Sequence, residues 1–167
     1  PQALQEPGDL GGGAGGGDVA LRRQGEREIL RRRRQDQILD VLRRYDVDGI
    51  HIDDYFYPYP DSKQTAFPDD ASWKQYRGKL NRKDWRRMHI NNFIRDLHSE
   101  IHKIKPWVKF GVSPFGIWRP GHPKQIKGLD AYDVLYADAR LWLREGWLDY
   151  CAPQLYWQIA PKAQSYP

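Results

Sequence analysis

The sequence predicts an α/β fold, a partial (β/α)₈ TIM barrel of about three βα units, and three observations support this. Short apolar runs alternate with helical periodicities in the order helix, strand, helix, strand, helix, strand, which is the pattern of βαβ units on a parallel sheet. Each strand-to-helix loop is long and rich in polar and aromatic residues, whereas each helix-to-strand loop is short. No glycine fingerprint follows the first strand, as an open dinucleotide-binding sheet would carry, so the rhythm suits a barrel better. A closed barrel takes roughly 250 residues, so three units make a sector that needs the missing barrel strands.

The elements follow in order. Residues 1–25, with the stretch "GDLGGGAGGGDVALRRQGE", are glycine-dense and poor in large apolar side chains, which predicts a disordered or non-native segment ahead of a barrel domain over 26–167. From Glu26 a helix is expected, with Ile29 and Leu30, then Ile38, Leu39, Val41 and Leu42, and with arginines between them as a solvated face. A strand over Gly49 to Tyr55 leads through a long loop to a helix capped at Asn81, with Asp84 three residues on. This helix runs to about Lys105 with Phe93, Ile94, Leu97, Ile101 and Ile104 as its inner stripe. Pro106 stops it. A second strand covers Val108 to Ser113, and a further helix, roughly Ala131 to Arg144, is closed by Gly146 as a left-handed cap. The third strand covers Tyr150 to Tyr156.

Composition narrows the function. The 40% hydrophobic and 13% aromatic content is that of a globular chain, and no apolar run is long enough for a membrane span. The net charge of +5 and the run Arg31 to Arg34 raise nucleic-acid binding as an alternative. Residues 1–50, however, hold nine arginines against nine acids, and no nucleic-acid motif accompanies the charge. A lone Cys151 excludes an internal disulfide and a cysteine zinc cluster, and it reads as a buried, inert thiol. Among the five histidines only His98 and His102 have ligand-like spacing. They are expected on the solvent side of their helix, so neither a metal nor a cofactor is predicted.

Ligand sites of parallel α/β folds lie beyond the carboxyl ends of the strands, where the long loops gather. Alternation along each strand puts Ile50 and Ile52, then Val108, Phe110 and Val112, then Cys151, Pro153 and Leu155 on the helix side. It leaves His51, Asp53, Tyr55, Gly111, Ser113, Gln154 and Tyr156 on the inner face. A polar inner face calls for a functional reason. Asp53, at a strand end, is the leading candidate for a catalytic carboxyl acting as general acid, which requires a raised pKa, and Asp54 supports or shares that role. Neighbouring acids rarely straddle a glycosidic bond, so a second catalytic acid is sought in Asp61, Asp69 or Asp70, or in strands beyond these three. Aromatic side chains recur in all three loops, among them Tyr55, Tyr57, Trp118, Tyr156 and Trp157. Flat rings of this kind stack on sugar faces, while Arg119, Gln154 and the tyrosine hydroxyls bond a sugar's polar rim.

The motifs "DVDGIHIDDYFYPYP", "FPDDASW", "KPWVKFGVSPFGIWRPG" and "IKGLDAYDVLYADARLWLREGWLDYCAPQLYW" resemble the glycosyl-hydrolase-like family 10 proteins, bacterial (β/α)₈ enzymes, over roughly residues 36–160. The resemblance implies a glycoside hydrolase acting on a bacterial polysaccharide, with some relatives acting on peptidoglycan glycan strands stripped of their peptides. It further implies a periplasmic, secreted or envelope-associated setting, with the three strands here as about strands 4 to 6. Upstream of about Gln35 there is no resemblance. A carbohydrate-binding remnant without turnover is the competing reading.

Overall fold

The computed structural model describes residues 35–158, 160 and 162–164, so the predicted segment 1–25, the start of the first helix and the Arg31 to Arg34 run lie outside the described residues. The chain divides into two units, residues 1–37 and 38–167. Of the first, only residues 35–37 are described, as helix. All that follows concerns the second.

Its elements are helix α1 (residues 38–44 in this unit), β1 (Gly49–Ile52), α2 (Asp70–Tyr76), α3 (Arg82–Ile104), β2 (Lys109–Val112), α4 (Ala131–Val134), α5 (Ala139–Arg144) and β3 (Tyr150–Cys151). The strands form one parallel sheet in the order β1-β2-β3, with Gly49 opposite Lys109, Ile52 opposite Val112, and Gly111 opposite Tyr150. Sequential parallel order is what consecutive right-handed βαβ crossovers produce. The predicted strands are trimmed at their carboxyl ends. β1 stops at Ile52 because the chain turns at Asp54, whose carbonyl accepts from the Phe56 N–H at 2.8 Å. Beyond β2 and β3 an isolated parallel bridge, Phe115 with Gln154, continues the pairing.

The helices pack on one face of the sheet. Leu39 and Leu42 of α1, Ile90, Ile94, Leu97 and Ile101 of α3, and Trp142 of α5 enclose Phe110 and Val112, with Ile50, Ile52 and Cys151 packed against them. Each fully buried Leu, Ile, Val or Phe contributes roughly 1.5–3 kcal/mol relative to exposure. This is the helix-side set that alternation predicts for β1 and β2 and for Cys151; Pro153 is exposed instead and Leu155 lies outside this core, because the regular strand ends at Cys151. Trp142 is anchored at its polar end too, its Nε1 donating to Asn91 Oδ1 at 2.7 Å. The Cys151 thiol is half-buried, and that burial pushes its pKa up, as an inert thiol requires.

α3 starts where the capping pattern places it. Asn81 Oδ1 accepts from the Asp84 N–H at 2.9 Å, and Asn81 Nδ2 donates to Asp84 Oδ2 at 2.6 Å. Two elements depart from expectation. The long loop after β1 contains the two-turn helix α2. The single helix expected over Ala131 to Arg144 is two helices, because Tyr136 adopts φ +59° and Asp138 starts a new helix by accepting from the Leu141 N–H at 3.2 Å. α5 then ends in a Schellman arrangement: Gly146 at φ +67° donates to Leu143 O, and the Trp147 N–H donates to Trp142 O at 2.8 Å. His98 and His102 are half-buried rather than on a solvent face, because the amino ends of β2 and β3 pack beneath that part of α3. Among the described residues no helix is long and apolar enough to cross a membrane.

Candidate active site

The open face of the sheet is polar by alternation, and its groups bond to one another across all three strands. His51 of β1 bonds through Nε2 to Ser113 Oγ at 2.6 Å and through Nδ1 to Tyr150 Oη at 2.9 Å. The Tyr150 ring stacks on His51 and lies over Gly111, where an added Cβ would sit 2.1 Å from the ring carbon. Glycine at position 111 is what lets this tyrosine lie flat. Tyr150 was missed as a site residue, although the alternation that selects Gln154 also selects it.

At the carboxyl end of β1 the two acids separate sharply. Asp53 is exposed, and Gln154 Nε2 donates to its Oδ1 at 2.6 Å while also donating to the Ser113 carbonyl at 2.8 Å. The Asp54 N–H donates to the same Oδ1 at 2.7 Å. That backbone bond first, then Asp54, Gln154 and the nearby His51, hold the Asp53 carboxyl below the usual aspartate range against a modest burial effect. Asp54 is only 1% exposed, with the Tyr59 hydroxyl donating to Oδ2 and Oδ1 without a partner. Burial, with the neighbouring Asp53 adding to it, pushes the Asp54 carboxyl up although the Tyr59 bond opposes this. Tyr59 is itself held well above the ordinary tyrosine range by burial and by Asp54. The raised carboxyl expected of Asp53 therefore falls on Asp54, because the turn after Ile52 carries Asp54 beneath the loop while Asp53 stays on the open face.

The aromatic loop residues divide by exposure. Tyr55 (75% exposed) and Tyr156 (87%) offer free faces, and Tyr55 meets Tyr59 edge-on. Trp157 is half-buried against Phe115, and its Nε1 donates to Gln164 O at 2.5 Å. Tyr57 packs edge-on with Phe67 and Tyr136, under the Arg86 guanidinium. Trp118 donates to Asp138 Oδ1 at 3.0 Å, and Arg119 lies over Tyr132 with Asp130 and Asp133 nearby. The polar groups of Trp118 and Arg119 thus brace α4 and α5, whereas His51, Ser113 and Gln154 gather around Asp53.

The loop acids considered as a second catalytic group are engaged structurally. Asp61 accepts from the Thr65 N–H and hydroxyl. Asp70 pairs with Arg82 and Lys74. Asp69 is buried and receives both Nε and Nη2 of Arg86 at 2.7 Å, while Arg86 Nη1 donates to the Tyr136 hydroxyl at 2.6 Å. Burial opposes the Arg86 charge, but Asp69 and Tyr136 outweigh it and keep the guanidinium firmly protonated.

Residues 33–167 match the family described as Glycosyl hydrolase-like 10, three residues upstream of where the motif resemblance begins. The chain is 46% identical over 137 residues to glycosyl hydrolase YngK of Bacillus subtilis (strain 168), covering 77% of this chain and 26% of that protein. It is 40% identical over 134 residues to glycosyl hydrolase DigH of Escherichia coli (strain K12) and to DigH of Shigella flexneri, covering 77% of this chain and 30% of each. The chain thus spans less than a third of the length of these curated relatives.

Proposed function

The chain belongs to the glycosyl hydrolase-like 10 family, and on that premise we propose that it forms the catalytic sector of a hydrolase of O-glycosidic bonds in a bacterial polysaccharide. The observation that carries this reading is the unlike setting of two adjacent carboxyls, Asp53 exposed and held ionised, Asp54 buried and held toward its neutral form. Titratable neighbours whose surroundings push their pKa values apart are how acid and base roles are divided. Asp53 is the carboxylate that meets the anomeric carbon or its attacking water. Asp54, bonded by Tyr59, is the member of the pair that gives up its proton less readily, which eases the repulsion of two charges at the strand end.

The partner carboxyl that protonates the leaving oxygen must stand roughly 5–9.5 Å away across the sugar, and adjacent residues rarely set their carboxyls on opposite sides of one ring. Since Asp61, Asp69 and Asp70 are bonded elsewhere, it comes from the remainder of a family-length barrel. The sequential parallel strand order supports that barrel. The exposed rings of Tyr55 and Tyr156 flank the strand ends and suit stacking on sugar faces. Peptidoglycan glycan strands without peptides, met in the periplasm or outside the cell, are the substrate and setting that the motif resemblance implies.

The test is a family-length protein carrying residues 33–167, incubated with peptide-free glycan strands and followed by mass spectrometry of the products. The parent shortens the strands, and Asp53→Asn slows this by about a hundredfold or more. Equal cleavage by the variant removes Asp53 from the chemistry. Tight glycan binding without cleavage by the parent favours the carbohydrate-binding reading.

A further inference from the structure

A second constellation lies at the opposite, amino end of the sheet. His98 and His102 are one helical turn apart on α3, so both rings point off the same face, their centroids 4.2 Å apart. Asp149, just ahead of β3, is locked beneath them by two backbone bonds to β2: its N–H donates to Phe110 O at 2.8 Å, and its Oδ2 accepts from the Phe110 N–H at 2.7 Å. One ligand atom from each of the three residues lies within 4.8 Å of the other two.

The hydrogen bonding orients these groups toward a cation. His102 Nδ1 stands 2.9 Å from the His98 carbonyl oxygen. A carbonyl only accepts, so Nδ1 carries the hydrogen and, in the neutral ring, Nε2 presents its lone pair. That lone pair faces Asp149 Oδ2 at 3.3 Å. Two acceptors at this distance need a proton or a metal ion between them. Ligands each about 2.0–2.1 Å from a tetrahedral zinc ion are about 3.3 Å apart. A ring N–H on a backbone carbonyl and a carboxylate held by a backbone N–H are the supporting bonds that orient metal ligands. Lys109 Nζ, 3.6 Å from Oδ1, takes up only the other oxygen of Asp149.

We propose that His98, His102 and Asp149 form a binding site for a zinc-type divalent transition-metal ion, which staples α3 to the amino ends of β2 and β3. Two imidazoles and one carboxylate suit zinc or cobalt rather than magnesium or calcium, which prefer all-oxygen shells. Three protein ligands leave the fourth position to water. The site is at the far end of the strands from Asp53, so its role is structural.

The test adds Co²⁺, then Zn²⁺, to the full 167-residue chain purified free of metal, reading the visible absorption of bound cobalt and the thermal midpoint. The proposal expects one equivalent of cobalt with the intense visible bands of a four-coordinate ion, displaced by zinc, and a raised thermal midpoint. His102→Gln and Asp149→Asn should each weaken cobalt binding by about 10–100-fold or more, while His122→Gln leaves it unchanged. Circular dichroism without metal verifies that each variant is folded, and His98→Gln replaces either one that is not. Absence of the cobalt bands in the parent, or bands that survive in the folded ligand variants, overturns the site and leaves an ordinary histidine–aspartate contact.

Discussion

Two aspartates joined by one peptide bond carry opposite pKa shifts here because the chain turns between them. Asp53 ends the polar row of β1 and collects N–H donors, whereas Asp54 drops under the aromatic loop, where its charge loses water. The linkage for Asp54 follows from its raised value. Its contribution to stability is complete below the unfolded-state pKa, near 3.8, and is lost as pH rises through the higher folded value. Asn at this position keeps an oxygen for the Tyr59 hydroxyl and has no charge to desolvate. Asp54→Asn should therefore match the parent's thermal midpoint near pH 3 and exceed it by a few degrees at neutral pH, measured by calorimetry across that range. A gap that is constant with pH would show that Asp54 ionises normally. Alternation alone locates His51, Ser113 and Gln154 beside Asp53 in the sequence. The division of roles between Asp53 and Asp54 is not legible there, since it depends on a turn at residue 54 and on burial supplied by Tyr59, five residues on.

At the scale of elements, α3 is readable end to end because its cap, its stripe and its stop are all local. Asn81, Ile94, Leu97, Ile101 and Pro106 announce it. α2 and the break between α4 and α5 are not local. Both are organised by Arg86 of α3, which grips Asp69 at the start of α2 and the hydroxyl of Tyr136, the residue of positive φ between α4 and α5. The signals present in the sequence, Asp69 before Asp70 and Asp138 three residues before Leu141, acquire force only once that guanidinium is in place. Arg86→Ala would strip buried Asp69 of both its hydrogen bonds and leave it only Arg82 Nε at 3.5 Å, which costs up to about 3–5 kcal/mol. Urea unfolding followed by circular dichroism should show that loss. A change below about 1 kcal/mol would mean that the pair is solvated and α2 stands without it.

For the whole molecule, three short strands bring their carboxyl ends together so that one face holds a connected polar network and the other a dry core. That division of faces was visible in the alternation of Ile50 with His51 and of Phe110 with Gly111. Strand ends were not, because β1 and β3 stop where side-chain and loop bonds replace the ladder. The network exists only when all three strands are assembled, as Gln154 reaches Asp53 from beyond β3 and Ser113 meets His51 across β1 and β2. Its chemical product is an Asp53 carboxyl that ionises more readily than that of its neighbour Asp54. Carboxyl-carbon NMR titration of the folded chain, with Asp53→Asn and Asp54→Asn to assign the two steps of a coupled pair, measures that directly. The account predicts Asp53 ionising below the ordinary aspartate value of 3.8 and Asp54 above it. Two aspartates titrating together near that value, or in the reverse order, would contradict it.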